Sequence, residues 1–178
     1  MGALIAIHSL TEEDSTISID GLILASPVVH IDGEMNFWQR MLARMVLLVY
    51  PSKRIRMDSF EDDERSQDPK VTRDPAYQAY LQNTPHQVES YTLRFIKTLF
   101  EWIESAPEAA KRLNTPILVL YAGKDIFVKP EKVESFFDQL SSEEKTLAPF
   151  PESYHLLLHD LDKSEVLNQI EAWLTQRI

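Results

Sequence analysis

The chain contains no cysteine, which excludes disulfides, thiolate metal sites and cysteine nucleophiles. That absence fits a reducing compartment, and a cytoplasmic location is the expectation. Long apolar runs are missing too. The longest candidate, residues 41–50, is interrupted by Arg44 and stops before Pro51, short of what a membrane span requires. The first residues carry no charged region followed by a long apolar stretch, so they do not read as a signal peptide. Positive charge is scarce. Against 28 acidic residues stand 18 basic ones, a net charge of -10. This balance argues against nucleic acid, whose phosphates need neutralising, and against an anionic membrane surface as main partner. Solubility is the plainer reading of the acidity. There is no internal repeat and no low-complexity segment.

What is present is an ordinary globular composition. The 44% of hydrophobic residues is too high for a disordered chain, and 178 residues suffice for one compact domain or a large part of a bigger one. Gly2 to Leu10 is apolar and helix-prone, with no capping side chain ahead of it. Leu22-Ile23-Leu24-Ala25 follows Asp20-Gly21 and precedes Ser26-Pro27. Such a short continuous apolar run between turn residues predicts a strand buried on both faces, as in a parallel sheet. Ile117 to Tyr121 predicts a second. Residues 146–150 predict a weaker third, where Pro149 suits an edge. Residues 132–140 and 163–178 show helical apolar spacing, so the last third alternates strand and helix in an α/β pattern.

The middle reads differently. Asn36 is placed to cap a helix over residues 37–50 with a broad apolar face that includes Phe37, Trp38, Met41, Leu42, Met45, Val46 and Val49. Residues 54–77 are polar and contain the acidic cluster 61–64, read as a solvated loop. Residues 91–103 form a further apolar-rich helix. This block resembles an insertion over a sheet more than part of its winding.

Two residues carry the candidate chemistry. Asp125 falls just past the C-terminal end of one predicted strand, and His155 in the loop after the next. In open parallel sheets that edge is where sites form. A carboxylate there orients an imidazole, which then serves as base to a hydroxyl nucleophile. Taken alone, Asp125 reads first as a turn residue and His155 as a surface loop histidine. His155, His159 and Asp160 make a weak metal cluster, lacking the zincin glutamate or a third clear ligand. His8, His30 and His86 read as structural or exposed.

The order of the pieces is more specific. The sequence resembles the monoacylglycerol lipase/lysophospholipase-like branch of the α/β-hydrolases. The resemblance rests on Asp20-Gly21-Leu22-Ile23-Leu24 leading to Ser26-Pro27, on Arg73-Asp74-Pro75, and on Pro116 opening a strand that ends in Gly123-Lys124-Asp125. It continues through Val128 and Pro130, Tyr154-His155 and Trp173-Leu174. In that group the histidine is commonly followed by glutamate; here Leu156 stands instead. The resemblance implies an α/β fold, the C-terminal portion of an α/β-hydrolase sheet with a helical cap insertion. Residues 1–27 would supply a helix and buried strand, 28–112 the cap, and 113–178 the remaining core. It implies ester hydrolysis, with Asp125 as triad acid, His155 as base, and no cofactor or metal.

The match starts at Met1, which falls right after the family's elbow serine. Met1 would therefore give the backbone N–H of the oxyanion hole. No serine of the chain stands in Gly-x-Ser-x-Gly, and Ser9, Ser26, Ser59 and Ser153 are poor substitutes, so the chain alone is expected to be inactive. The expected partners are a lipid-like ester, transient contact with a membrane or micelle, and another strand along an exposed edge of residues 22–25. The rival readings are a related acyl or peptide-bond hydrolase, and a non-catalytic module that binds a ligand or partner.

Overall fold

In chain order the elements are α1 (Gly2–Thr11), β1 (Leu22–Ala25), β2 (Arg54–Arg56), α2 (Pro75–Asn83), β3 (Ser90–Thr92), α3 (Leu93–Ala110), β4 (Ile117–Ala122), α4 (Pro130–Gln139), β5 (Lys145–Phe150) and α5 (Lys163–Thr175). The computed structural model describes residues 1–12, 14, 16–31, 45–47, 49–56, 70–85, 88 and 90–177. Asn36, the part of the 37–50 helix before Met45, the acidic cluster 61–64, Ser59 and His86 lie outside those residues. Of the apolar helix, Met45, Val46 and Val49 are described, and all three are exposed.

The most apolar stretch of the chain, β4, is the middle of a three-stranded parallel sheet ordered β1-β4-β5. Leu22 pairs with Ile117, and Ile117 with Lys145. Every residue of β4 is buried, because the sheet is covered on both faces. Ile117, Val119 and Tyr121 pack with Leu4 and Ile7 of α1, Ile103 and Ala106 of α3, and Val133 and Phe136 of α4. Leu118, Leu120 and Ala122 pack with Leu157, Val166 and Trp173. Each Leu, Ile, Val or Phe side chain among them contributes about 1.5–3 kcal/mol by leaving water.

β1 departs from its predicted two-sided burial. Leu22 and Leu24 are buried, whereas Ile23 and Ala25 are half-buried on the α5 side. Pro149 sits on β5, which borders β4 alone among the described residues, so its missing N–H disrupts no second ladder.

Two elements went beyond the sequence patterns. β2 and β3 form a small antiparallel pair, Ile55 opposite Tyr91, within segments read as loop and helix. α3 starts at Leu93, with the Thr92 hydroxyl capping the Phe95 N–H at 3.2 Å, and runs on through Pro107 to Ala110. An internal proline costs roughly 3 kcal/mol. Here Ala106, Ala109 and Ala110, all buried in the core, offset it.

Candidate active site

β4 and β5 are adjacent and parallel, so the loops leaving their C-terminal ends emerge side by side. Gly123 brings them closer still. Its N–H donates to Phe150 O at 2.9 Å, and the next N–H, of Lys124, donates to Ser153 O at 3.0 Å. A Cβ at Gly123 would stand 2.3 Å from Pro151 O and 2.6 Å from Pro151 Cα, closer than atoms approach. Glycine is therefore required for the approach of the two loops. Gly123→Ala is expected to lower stability by about 1–3 kcal/mol, as overpacking does, and to part Asp125 from His155. Urea unfolding and the histidine NMR resonances would show both effects. A variant of unchanged stability would mean that the loops yield freely.

Beyond this approach lie Asp125 and His155. Asp125 Oδ2 is 2.8 Å from His155 Nδ1, and Asp125 Oδ1 accepts the Phe127 N–H at 2.8 Å. The carboxylate is almost fully buried, at 1% side-chain exposure, while the imidazole is 18% exposed. Phe127 meets the imidazole edge-on, ring centroids 4.7 Å apart. A buried carboxylate on Nδ1 fixes ring orientation and tautomer, leaving Nε2 to act as acceptor. In the two loops that carry the pair, Ile126, Phe127, Leu158 and Leu161 are large apolar side chains left exposed. Met1 is the N-cap of α1, its carbonyl accepting the Ile5 N–H at 3.2 Å.

The remaining sequence candidates have other employment. His8 Nε2 lies 2.9 Å from Trp102 O, tying α1 to α3. His159 stacks on Tyr77, centroids 4.2 Å apart. Ser153 is fully buried and donates to Asp162 Oδ2 at 2.7 Å. Ser26, at the end of β1, is buried with φ 44°, and its hydroxyl has no hydrogen-bond partner among the described residues.

Arg73-Asp74-Pro75 acquires a physical account. Asp74 caps α2, its Oδ1 accepting the N–H of Ala76 at 2.9 Å, and Pro75 opens the helix where no N–H is needed. Arg73 reaches the loop that carries His155. Its backbone N–H donates to Asp160 Oδ1 at 2.9 Å and its Nε at 3.2 Å, while Nη2 lies 2.6 Å from Asp162 Oδ2. Asp160 also accepts the N–H of Tyr154 at 2.6 Å and of Leu161 at 2.8 Å. Burial alone would raise the Asp160 carboxyl. The N–H groups of Tyr154, Arg73 and Leu161, with the guanidinium charge, outweigh it and hold the carboxyl below its ordinary range. Sequence reading singled out Arg73 and Asp160 separately but not as partners. They stand 87 residues apart, and no local pattern spans that distance.

A parallel sheet with a carboxylate after one strand and a histidine after the next is the arrangement of α/β-hydrolases. The serine aminopeptidase S33 (Hydrolase_4) family model matches residues 1–162, and the chain belongs to that family. It is 25% identical to the phospholipase YtpA of Bacillus subtilis over all of its length and 66% of that protein's. To mouse monoglyceride lipase it is likewise 25% identical, over all of its length and 57% of the relative's. The crystal structure of Paleococcus ferrophilus monoacylglycerol lipase superposes with a TM-score of 0.79 at 23% identity, over 99% of this chain and 65% of that one, a likeness of fold. The chain thus spans less than two thirds of these proteins. Among the described residues no helix is long and apolar enough to cross a membrane.

Proposed function

We propose that these residues are the acid- and histidine-bearing part of a serine carboxylic-ester hydrolase acting on single-chain lipid esters, monoacylglycerols or lysophospholipids. One observation carries the reading: the 2.8 Å contact of Asp125 Oδ2 with His155 Nδ1 at neighbouring strand ends. Asp125 orients His155 and stabilises its imidazolium. Nε2 takes the proton of a serine hydroxyl as its oxygen attacks the ester carbonyl, then returns the proton to the departing alcohol. No serine of these 178 residues stands in a Gly-x-Ser-x-Gly elbow, so in this reading the hydroxyl is supplied from outside them, with the Met1 backbone N–H at the oxyanion. A part of residues 28–92 serves as a cap, while α3 covers the sheet as part of the core. The exposed Ile126, Phe127, Leu158 and Leu161 favour an apolar acyl chain beside the pair. The names of the phospholipase and monoglyceride lipase relatives support the substrate class.

The test is a polypeptide in which a Gly-x-Ser elbow and its preceding strand are joined in frame to Met1. It should hydrolyse monoolein and lysophosphatidylcholine in preference to amino-acid anilides. Preference for the anilides would favour peptide-bond chemistry. Saturable lipid binding without turnover would favour a binding module.

The same reading bears on the edge of β1. Leu22 and Ser26 donate their N–H groups to Pro116 O and Leu120 O, on the β4 side. By strand alternation Ile23 and Ala25 direct theirs to the opposite edge, where no strand pairs among the described residues. The 178-residue chain alone should therefore dimerise or aggregate through this edge, or pair with a complementing segment. Light scattering on a size-exclusion column tests this. A monomer with slow amide exchange at Ile23 and Ala25 would show the edge covered from within.

A further inference from the structure

Residues on either side of His155 are tied to one clasp. The Tyr154 N–H donates to Asp160, the Leu156 N–H donates to Val71 O at 2.9 Å, and the Thr72 hydroxyl donates to His159 O at 2.7 Å. Arg73 closes it by bonding Asp160 through backbone and side chain while its guanidinium meets Asp162, which in turn holds Ser153. The segment 71–73 thus grips the histidine loop at four points, and α2 begins two residues later.

We propose that Arg73 and Asp160 are positioning residues for His155, setting the imidazole against Asp125 and coupling the start of α2 to the reacting pair. The inference rests on the reading of Asp125 and His155 as acid and base. A buried carboxylate is expensive to desolvate, and apolar packing would anchor a loop as well. What Asp160 adds is direction. At 1% exposure it receives N–H groups from residues 73, 154 and 161 at fixed angles, so the backbone beside His155 has little latitude. A bidentate, planar guanidinium spanning two carboxylates does the same for the opposite segment.

The experiment uses the 178-residue chain with ¹⁵N-labelled histidine; five histidines make assignment direct. In the unmodified chain His155 Nδ1–H should appear as a low-field, slowly exchanging proton that is lost in Asp125→Asn. Without that signal, the Asp125–His155 pair itself fails and the inference falls with it. With it present, Asp160→Asn and Arg73→Lys should speed its exchange about tenfold or more, the factor for one lost charge-assisted hydrogen bond. The amides of Val119 and Leu120 should keep their protection. Thr72→Val, which removes a single bond to the loop, carries the test should Asp160→Asn not fold. A purely structural clasp would lower global stability yet leave the His155 proton unchanged in folded molecules, and that result would overturn the proposal.

Discussion

A polypeptide of these 178 residues is expected to remain unlabelled by a fluorophosphonate probe and to hydrolyse p-nitrophenyl esters at the rate of buffer. An activated nucleophile is the largest requirement of this chemistry. Removing one from a serine hydrolase typically costs about six orders of magnitude in turnover. Two of the candidate serines offer no replacement. Ser153 is fully buried with its proton committed to Asp162, and Ser26 is enclosed at the end of β1. Intact-mass spectrometry after exposure to the probe decides the matter. Stoichiometric labelling at any of them would mean a nucleophile unlike the family's.

Asp125→Asn, placed in a polypeptide that carries the elbow serine, should lower kcat by about 10⁴-fold with KM little changed. That factor corresponds to roughly 5.5 kcal/mol of transition-state stabilisation. The substitution preserves size and the acceptor for the Phe127 N–H. What it removes is the charge facing Nδ1, and with it both the correct tautomer and the stabilisation of the imidazolium. Steady-state kinetics on monoolein would measure it. A loss under about tenfold would show that His155 works without this carboxylate, and His155→Ala would then establish whether the imidazole is needed at all.

Much of this was legible in the sequence because the signals are local. Ile117 to Tyr121, apolar throughout and bounded by Pro116 and Gly123, declares a central strand of a parallel sheet. Asp125 and His155 are recognisable because each follows such a strand, and order along the chain becomes adjacency in space. Long-range polar geometry was not legible. Arg73 and Asp160 meet across 87 residues, and nothing near either one marks the other. The three-residue strands β2 and β3 are too short for a period-2 pattern. α3 outran its expected end because tertiary burial of Ala106, Ala109 and Ala110 overrides the proline signal. Gly123 was visible as a turn glycine. That its missing Cβ is where Pro151 passes can be learned only from the folded chain.

The pairing of β4 also dictates an order of assembly. Its partner on one side, β5, follows after a single helix, whereas Leu22 must meet Ile117 across the whole middle of the chain. Closing a loop about three times longer costs roughly 1 kcal/mol more entropy before any contact returns it. The unit β4–α4–β5 is therefore expected to condense early, carrying Asp125 and the approach to His155 with it. β1 is expected to dock later, onto a surface already made. In refolding monitored by pulsed hydrogen exchange, amides of Val119 and Leu147 should gain protection ahead of those of Leu22 and Leu24. The half of the sheet that carries Asp125 and His155 is thus the half expected to form first.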